Sequence, residues 1–174
     1  HIQTDVAPYD VWEQQSLITV IGGETDFRID YKAVVRHLVD TVEEYGLRPQ
    51  AVGYDPHNAE AFTEDLEVLG VPLIKVVQSA KSLNDATVDV QLLVKSGKYA
   101  MDKRNELMSW SFLNAQLVRN SFDEVKVDKK PGKTRRIDPV DACVDAHFAR
   151  LAQRDSAVVD ADEELRRYME LMNW

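Results

Sequence analysis

The sequence predicts an α/β fold in which a largely parallel sheet is flanked by helices. Short β-branched runs alternate with longer stretches of helical apolar period, and Gly or Pro separates most of them. Such alternation at short intervals is typical of strand–helix–strand units, which build parallel sheets. A length of 174 residues with 44% hydrophobic side chains suits one packed domain.

The composition excludes several classes of protein. Apolar runs stay well short of the roughly 20 residues that cross a bilayer, and the N-terminus has neither the basic start nor the apolar stretch of a signal peptide. The single cysteine, Cys143, cannot form an internal disulfide, which favours a reducing compartment. A net charge of −9 argues against a protein that coats nucleic acid by bulk charge.

Four strands and two helices are predicted in the first half of the chain. After an irregular opening, short β-branched or apolar runs predict strands at 17–21, 27–29, 50–54 and 73–77. The first helix begins at Asp30, keeps a 3.6-residue period and ends at Gly46. The second helix ends before Gly70 and has an apolar face made by Ala59, Phe62, Leu66 and Leu69.

The second half is predicted to be mainly helical. Helices are expected at 82–95, at 105–118 and from Asp138 to about residue 153, with a short strand at 99–101 and an exposed strand at 124–127. Residues 1–153 then form one domain. The acidic segment 154–174 forms a terminal helix or tail, because its apolar residues also keep helical spacing.

Two aspartates stand where predicted elements end or begin. Asp55 follows the strand at 50–54, and ligands collect beyond the carboxyl ends of parallel strands. Asp138 precedes Pro139 at the start of the late helix, and Asp141 lies in its first turn. Each also has a structural interpretation, since aspartate commonly caps a helix or complements its dipole.

A basic loop leads directly into Asp138. Residues 126–136 hold six basic groups against one acid, whereas residues 155–170 hold six acids against two arginines. Carboxylates on adjacent elements can hold Mg²⁺ or Mn²⁺, and neighbouring lysines and arginines can hold a phosphate backbone. The combination favours a functional interpretation of both aspartates.

Other chemistry-bearing patterns fail or have a simpler interpretation. The string PGKT at 131–134 lacks the upstream glycine of a P-loop, because position 127 is valine. The chain contains no G-x-G-x-x-G, H-E-x-x-H or G-x-S-x-G string. His147 and Cys143 lie in a helical pattern that predicts structural packing, and His57 is expected to face solvent.

Several strings, in this order, resemble the C-terminal nuclease part of tailed-bacteriophage terminase large subunits, which are DNA-packaging motors. They are P-Y-D-V-W at 8–12, Y-D-P-H-N-A at 54–59, Q-S at 78–79, W-S-F-L-N at 110–114 and K-T-R-R-I-D at 133–138. The resemblance covers about residues 7–150, and the order of the strings is more specific than any one of them.

The resemblance implies an RNase H-like fold, with a central mixed sheet flanked by helices. It also implies an endonuclease that cuts concatemeric double-stranded viral DNA with two Mg²⁺ or Mn²⁺ ions. Asp55 and Asp138 match the family's catalytic acids, and Asp141 is a further candidate metal ligand. The DNA would be held by the basic residues Lys129, Lys130, Lys133, Arg135 and Arg136.

The chain departs from the family pattern at its start. The family's nuclease part opens with a strand that carries a first aspartate, upstream of the P-Y-D-x-W segment, and an ATPase half precedes it. We therefore expect this chain to be N-terminally incomplete. The implied partners are that ATPase domain, the portal protein and the small terminase subunit, in the cytoplasm of a bacterial host and without a membrane.

Two alternative functions stay open from the residues. Another RNase H-like enzyme, such as a resolvase or integrase, would share the acids but not the order of the strings. A non-catalytic packaging or docking module would bind the portal or a terminase partner through the acidic tail, without cutting DNA.

Overall fold

The structure, a computed structural model, describes residues 7–21, 29–57, 63–131 and 135–171, and beyond residue 154 it describes mainly the helical backbone. Six helices and four strands follow one another in these ranges. They are α1 Tyr9–Gln14, α2 Tyr31–Glu44, β1 Val52–Tyr54, α3 Thr63–Leu66, β2 Leu73–Lys75, α4 Ala80–Lys95, α5 Glu106–Asn114, β3 Ala115–Arg119, β4 Val125–Lys129 and α6 Asp138–Leu171. A short 3₁₀ turn, Glu67–Leu69, extends α3.

The strands form two separate pairs in the described residues. Strands β1 and β2 run parallel, with Val52 opposite Leu73 and Tyr54 opposite Lys75. Strands β3 and β4 form an antiparallel hairpin, with Ala115 opposite Lys129 and Arg119 opposite Val125. The mixed α/β class predicted from the sequence is therefore confirmed, with a parallel pair and an antiparallel pair.

Side-chain caps begin helices α2 and α4, and the cap at Asp30 was predicted from the sequence. The Asp30 carboxylate accepts a hydrogen bond from the Ala33 amide at 3.0 Å and begins α2. The Ser79 hydroxyl accepts one from the Ser82 amide at 3.1 Å and begins α4 at Ala80, two residues before the predicted start of that helix. Because each cap satisfies an amide that the helix cannot, these starts are local properties of the sequence.

Three strand or loop predictions were wrong. Residues 17–21 are not a strand, since no described strand pairs with them, and residues 9–14 form α1 rather than an irregular opening. Residues 99–101 are also not a strand, because the Lys98 and Tyr99 amides both bond the Leu93 carbonyl and close the end of α4. The predicted strand at 27–29 lies mostly outside the described residues.

Two helix predictions needed new boundaries. The helix predicted at 105–118 ends at Asn114, because residues 115–119 pair with β4 instead. Helix α6 continues to Leu171 without a break near residue 153. Strand β4 begins with a buried residue, Val125, and so is not an exposed strand.

The core lies where β2, α4, β4 and α6 meet. Its fully buried members are Val76, Leu83, Ala86 and Val144, and the partly buried Val127, Phe148 and Leu151 pack against them. At the other end, Trp12 of α1 is 2% exposed and meets Trp110 of α5 edge to face. None of the described helices is both long and apolar enough to cross a membrane.

Candidate functional site

Asp55 directly follows β1, and its negative charge acts on Asp145 of α6. One of the Asp55 carboxylate oxygens accepts a hydrogen bond from the His57 amide at 2.9 Å, which closes a local turn. A Cβ built on Gly53 of β1, two residues before Asp55, would lie 2.7 Å from the Asp145 carbonyl oxygen. Glycine therefore allows β1 to lie directly against α6 beside Asp55.

The first turns of α6 present an acidic face. Asp138, Asp141 and Asp145 are spaced i, i+3 and i+7, which places them in one row along the helix. The helix begins there because the Ile137 carbonyl accepts the Val140 and Asp141 amides at 2.8 and 2.9 Å. The positive end of the helix dipole also favours acids in the first turn.

The charges on this face interact strongly. The pKa of Asp141 is raised to about 7, first by burial and then by the negative charges of Asp145, Asp138 and Asp128, against which Lys126 acts weakly. The pKa of Asp145 is also raised, by burial and by Asp55, although a hydrogen bond from Gln78 opposes the change. The acidic face of α6 and the end of β1 thus share one electrostatic environment.

Two acids of this cluster were missed in the sequence. Asp145 lies one turn beyond Asp141, and the regular spacing of the three α6 acids was the signal that could have revealed it. Asp128 lies on β4, on the same strand face as Lys126, and its position depends on the β3–β4 pairing. No helical or strand pattern in the sequence brings β4 beside α6.

The chemistry of the cluster suits a divalent cation. Carboxylate oxygens are the ligands that Mg²⁺ and Mn²⁺ prefer, and a cation would offset the repulsion that raises the pKa of Asp141. Within the described residues, no three His, Cys, Asp or Glu side chains lie close enough together to hold one ion. Asp55, Asp138 and Asp141 suit divalent cations by donor type and by charge, and their spacing allows no more than two of them on any one ion.

The predicted DNA-binding residues differ in their exposure and in their contacts. Lys129 is exposed at the end of β4, and Arg135 and Arg136 are half-buried just before α6. The Lys130 ammonium donates to the Leu113 carbonyl at 2.6 Å and so ties the chain after β4 to α5. Lys133 lies outside the described residues.

His147 and Cys143 make contacts elsewhere, as the sequence predicted. The His147 Nε2 atom lies 2.7 Å from the Asp89 carboxylate and links α6 to α4, with 11% of the His147 side chain exposed. The Cys143 Sγ atom lies 3.2 Å from the Tyr99 hydroxyl. Burial is the main reason that the pKa of Tyr99 is raised to about 12.

Similar proteins define the class. Residues 1–154 match the family described as "Terminase large subunit, endonuclease domain". The large terminase subunit of Enterobacteria phage HK97 is 27% identical over 138 residues, which cover 78% of this chain and 26% of that protein. The chain thus spans about a quarter of the length of this curated relative.

Solved structures agree with the sequence comparison. The crystal structure of the HK97 bacteriophage large terminase matches 84% of this chain and 30% of its own, with a TM-score of 0.71 and 26% identity. The large terminase nuclease of thermophilic phage G20c matches 70% of this chain and 62% of its own, with a TM-score of 0.50 and 18% identity, which is a likeness of fold.

Fold and relatives therefore define an RNase H-like nuclease domain similar to those of bacteriophage large terminases. The chain belongs to the family of terminase large-subunit endonuclease domains. Both the predicted family and the predicted fold are confirmed.

Proposed function

We propose that this chain is a divalent-metal-dependent endonuclease that cuts concatemeric double-stranded viral DNA during genome packaging. The observation that carries the proposal is that β1 packs on α6 and the charge of Asp55 acts on Asp145 of the acidic face, in a chain of the terminase nuclease family. Asp55 and Asp138 are 83 positions apart in the sequence. Folding alone brings them into one electrostatic environment.

The acids have two roles in the proposed site. Asp55 and Asp138 are the catalytic carboxylates, and Asp141 joins them in holding Mg²⁺ or Mn²⁺ in a two-metal arrangement. When bound, such ions activate water and stabilise the leaving oxygen of a phosphodiester. The row along α6 keeps the Asp138 and Asp141 side chains on one side of a rigid element, so that their positions vary little.

The basic residues position the DNA backbone. Lys129, Arg135 and Arg136 lie shortly before the acidic face in the sequence, and in the proposal they contact phosphates without reading bases. Lys130 contributes mainly to holding the chain after β4, because its ammonium already donates to a carbonyl. We include Lys133 in this set from the sequence alone.

The whole protein's partners follow from the family. The HK97 relative is a terminase large subunit, and this chain spans about a quarter of it. We infer that an ATPase domain belongs to the same parent protein, and that the portal protein and the small terminase subunit are its partners in the host cytoplasm.

The test is cleavage of a supercoiled plasmid with Mn²⁺, Mg²⁺ or EDTA. We expect nicking and linearisation with either metal, none with EDTA, and a loss of at least about 100-fold for Asp55→Asn or Asp138→Ala. Asp40→Asn on α2 is the matched control, because Asp40 is an exposed aspartate on a helix outside the cluster.

The assay includes the same chain extended upstream by residues of its parent protein. Cutting by the extended form alone, abolished by Asp55→Asn, supports the proposal and indicates a further acid upstream. If neither form cuts while the chain binds a portal or terminase partner, the docking-module alternative replaces the nuclease.

A further inference from the structure

Gln78 connects three elements around the acidic cluster. It follows β2, and its side-chain amide donates to both carboxylate oxygens of Asp145 on α6, at 3.1 Å each. Its backbone carbonyl accepts a hydrogen bond from the Lys126 ammonium of β4 at 3.4 Å. The hydrogen bonds of Gln78 thereby link the end of β2 to α6 and to β4 beside the site.

The Asp145 carboxylate needs such a partner. It is half-buried and near the negative charge of Asp55, and its backbone carbonyl oxygen would lie 2.7 Å from a Cβ added to Gly53 of β1. Repulsion favours rotation of this side chain away from Asp55. A hydrogen bond to a charged acceptor is stronger than one between neutral groups, so the Gln78 amide opposes this rotation.

The neutrality of the partner is informative. A lysine or arginine at position 78 would also hold the carboxylate, but it would cancel the negative charge that a divalent cation requires. The carboxamide donates without adding charge. Each carboxylate oxygen also has a second lone pair beyond the one that the amide uses.

We propose that Gln78 is a positioning residue of the nuclease site, which holds the charged Asp145 carboxylate beside Asp55 and so adds Asp145 to the carboxylates that bind the divalent cation. This inference rests on the proposed function and extends it. Gln78 acts through Asp145 and does not itself contact the cation.

The test is direct titration of the whole 174-residue chain with Mn²⁺, followed by calorimetry and by the electron paramagnetic resonance signal of free Mn²⁺. We expect Gln78→Met and Asp145→Asn each to weaken Mn²⁺ binding by about 10- to 100-fold. Gln153→Met is the matched control, because it removes an amide hydrogen bond of α6 to the Gln50 carbonyl (2.7 Å) without touching the acids.

Stability in EDTA separates positioning from a structural role. Asp145→Asn keeps an acceptor for the Gln78 amide while it removes the repulsion, so we expect weaker Mn²⁺ binding together with unchanged or higher stability. A residue that only supported the fold would lose stability and Mn²⁺ affinity together. Loss of both in Asp145→Asn overturns the proposal.

The double variant Gln78→Met/Asp145→Asn tests whether Gln78 acts through Asp145. We expect its Mn²⁺ affinity to equal that of Asp145→Asn alone, since the amide then has no charged partner left to position. Saturating Mn²⁺ should restore the cleavage rate of Gln78→Met to that of the parent chain. Additive losses, or a rate that stays low at saturation, contradict the proposal.

Asp55→Asn distinguishes this inference from the proposed function. If Asp55→Asn abolishes Mn²⁺ binding and Gln78→Met leaves it unchanged, the nuclease site stands and the role of Gln78 is rejected. If the parent chain and Asp55→Asn bind Mn²⁺ equally poorly, the metal site itself is wrong.

Discussion

Asp141 shows how burial and neighbouring charge set the properties of a single residue in this site. It is half-buried on α6, with Asp138, Asp145 and Asp128 as its negative neighbours. Its pKa of about 7 means that the folded, metal-free chain binds a proton there at a pH where the unfolded chain does not. The residue therefore opposes folding at neutral pH unless positive charge compensates it.

The first prediction concerns Asp141→Asn in EDTA. Because the pKa is raised on folding, the parent chain loses stability as the pH rises from about 4 to about 7, and the variant does not suffer this loss. We expect the variant to be more stable by about 2 kcal/mol at pH 8, a value reduced for solvent screening. Near pH 4, which is close to the unfolded pKa, the gain should become small.

Urea unfolding of parent and variant at pH 4, 6 and 8 measures this difference. A gain that is the same at all three pH values would show that packing, and not ionisation, is responsible. Added Mn²⁺ should make the parent chain more stable than the variant at pH 8, because the charged Asp141 carboxylate then binds the cation.

At the scale of elements, the contact between β1 and α6 places Asp55 beside the acidic face. Gly53 is the residue that allows it: an added Cβ would lie 2.7 Å from the Asp145 carbonyl oxygen and 3.2 Å from a Val76 methyl carbon. Real Cβ atoms do not approach a backbone carbonyl so closely. A larger residue must therefore separate the strand from the helix.

The second prediction follows for Gly53→Ala. We expect a loss of about 1–3 kcal/mol in the free energy of unfolding, since the contact is with backbone that cannot rotate away. Mn²⁺ binding should weaken as well, because Asp55 moves from α6. Gly46→Ala is the control: Gly46 has φ +58° and open space around it, so its loss of about 1 kcal/mol should leave Mn²⁺ binding intact.

The segment between β4 and α6 is a second element-scale feature. Its cations precede the acidic face in the sequence, and Lys129 is exposed just before the segment, at the end of β4. The third prediction is that Lys129→Gln and Arg135→Gln each lower the slope of log affinity for duplex DNA against log salt, by about 0.9 for every phosphate that the variant no longer neutralises.

Fluorescence anisotropy of a labelled duplex at roughly 50 to 300 mM salt measures that slope. Lys32→Gln on α2 is the charge-matched control, because Lys32 is exposed on a helix that packs on α3. Equal slopes for all three variants and the parent would show that Lys129 and Arg135 do not contact the DNA phosphates.

At the scale of the whole molecule, the proposed metal site predicts a coupling between metal binding and stability. In that proposal, carboxylates that repel one another in the metal-free fold become ligands, and a ligand that binds only the folded chain stabilises it. The proposed ligands come from the end of β1 and from α6, so we expect the stabilisation to act on the packing of the domain rather than on one helix.

The fourth prediction is a thermal shift. At a Mn²⁺ concentration about 100 times the Kd, the stabilisation is about 2.7 kcal/mol, which raises the Tm by roughly 5–10 °C for a chain of this size. Asp55→Asn and Asp138→Ala should each reduce the shift, whereas Asp40→Asn should not. Scanning calorimetry with Mn²⁺ and with EDTA makes the comparison, and equal shifts in all variants would mean binding elsewhere.

Local chemistry in the sequence determined the elements whose signals are complete within a few residues. The caps at Asp30 and Ser79, the period of α2 and α4, and the starts of β1 and α6 all arise from side chains near those positions. The predicted strand at 17–21 was wrong because a strand also requires a partner, and pairing is not local. The helix predicted to extend to residue 118 ends at Asn114 because residues 115–119 pair with β4, and this pairing is also not local.

The sequence by itself determined the family, through the order of its strings, and the placing of Asp55 and Asp138 at the ends of elements. Only the tertiary structure decided that Asp145, Gln78, Lys126 and Asp128 lie around them, and that burial and repulsion raise the pKa of Asp141. The physical reason is that element ends follow from neighbours along the chain. The charge that one carboxylate feels depends on distances between strands and helices, which exist only after packing.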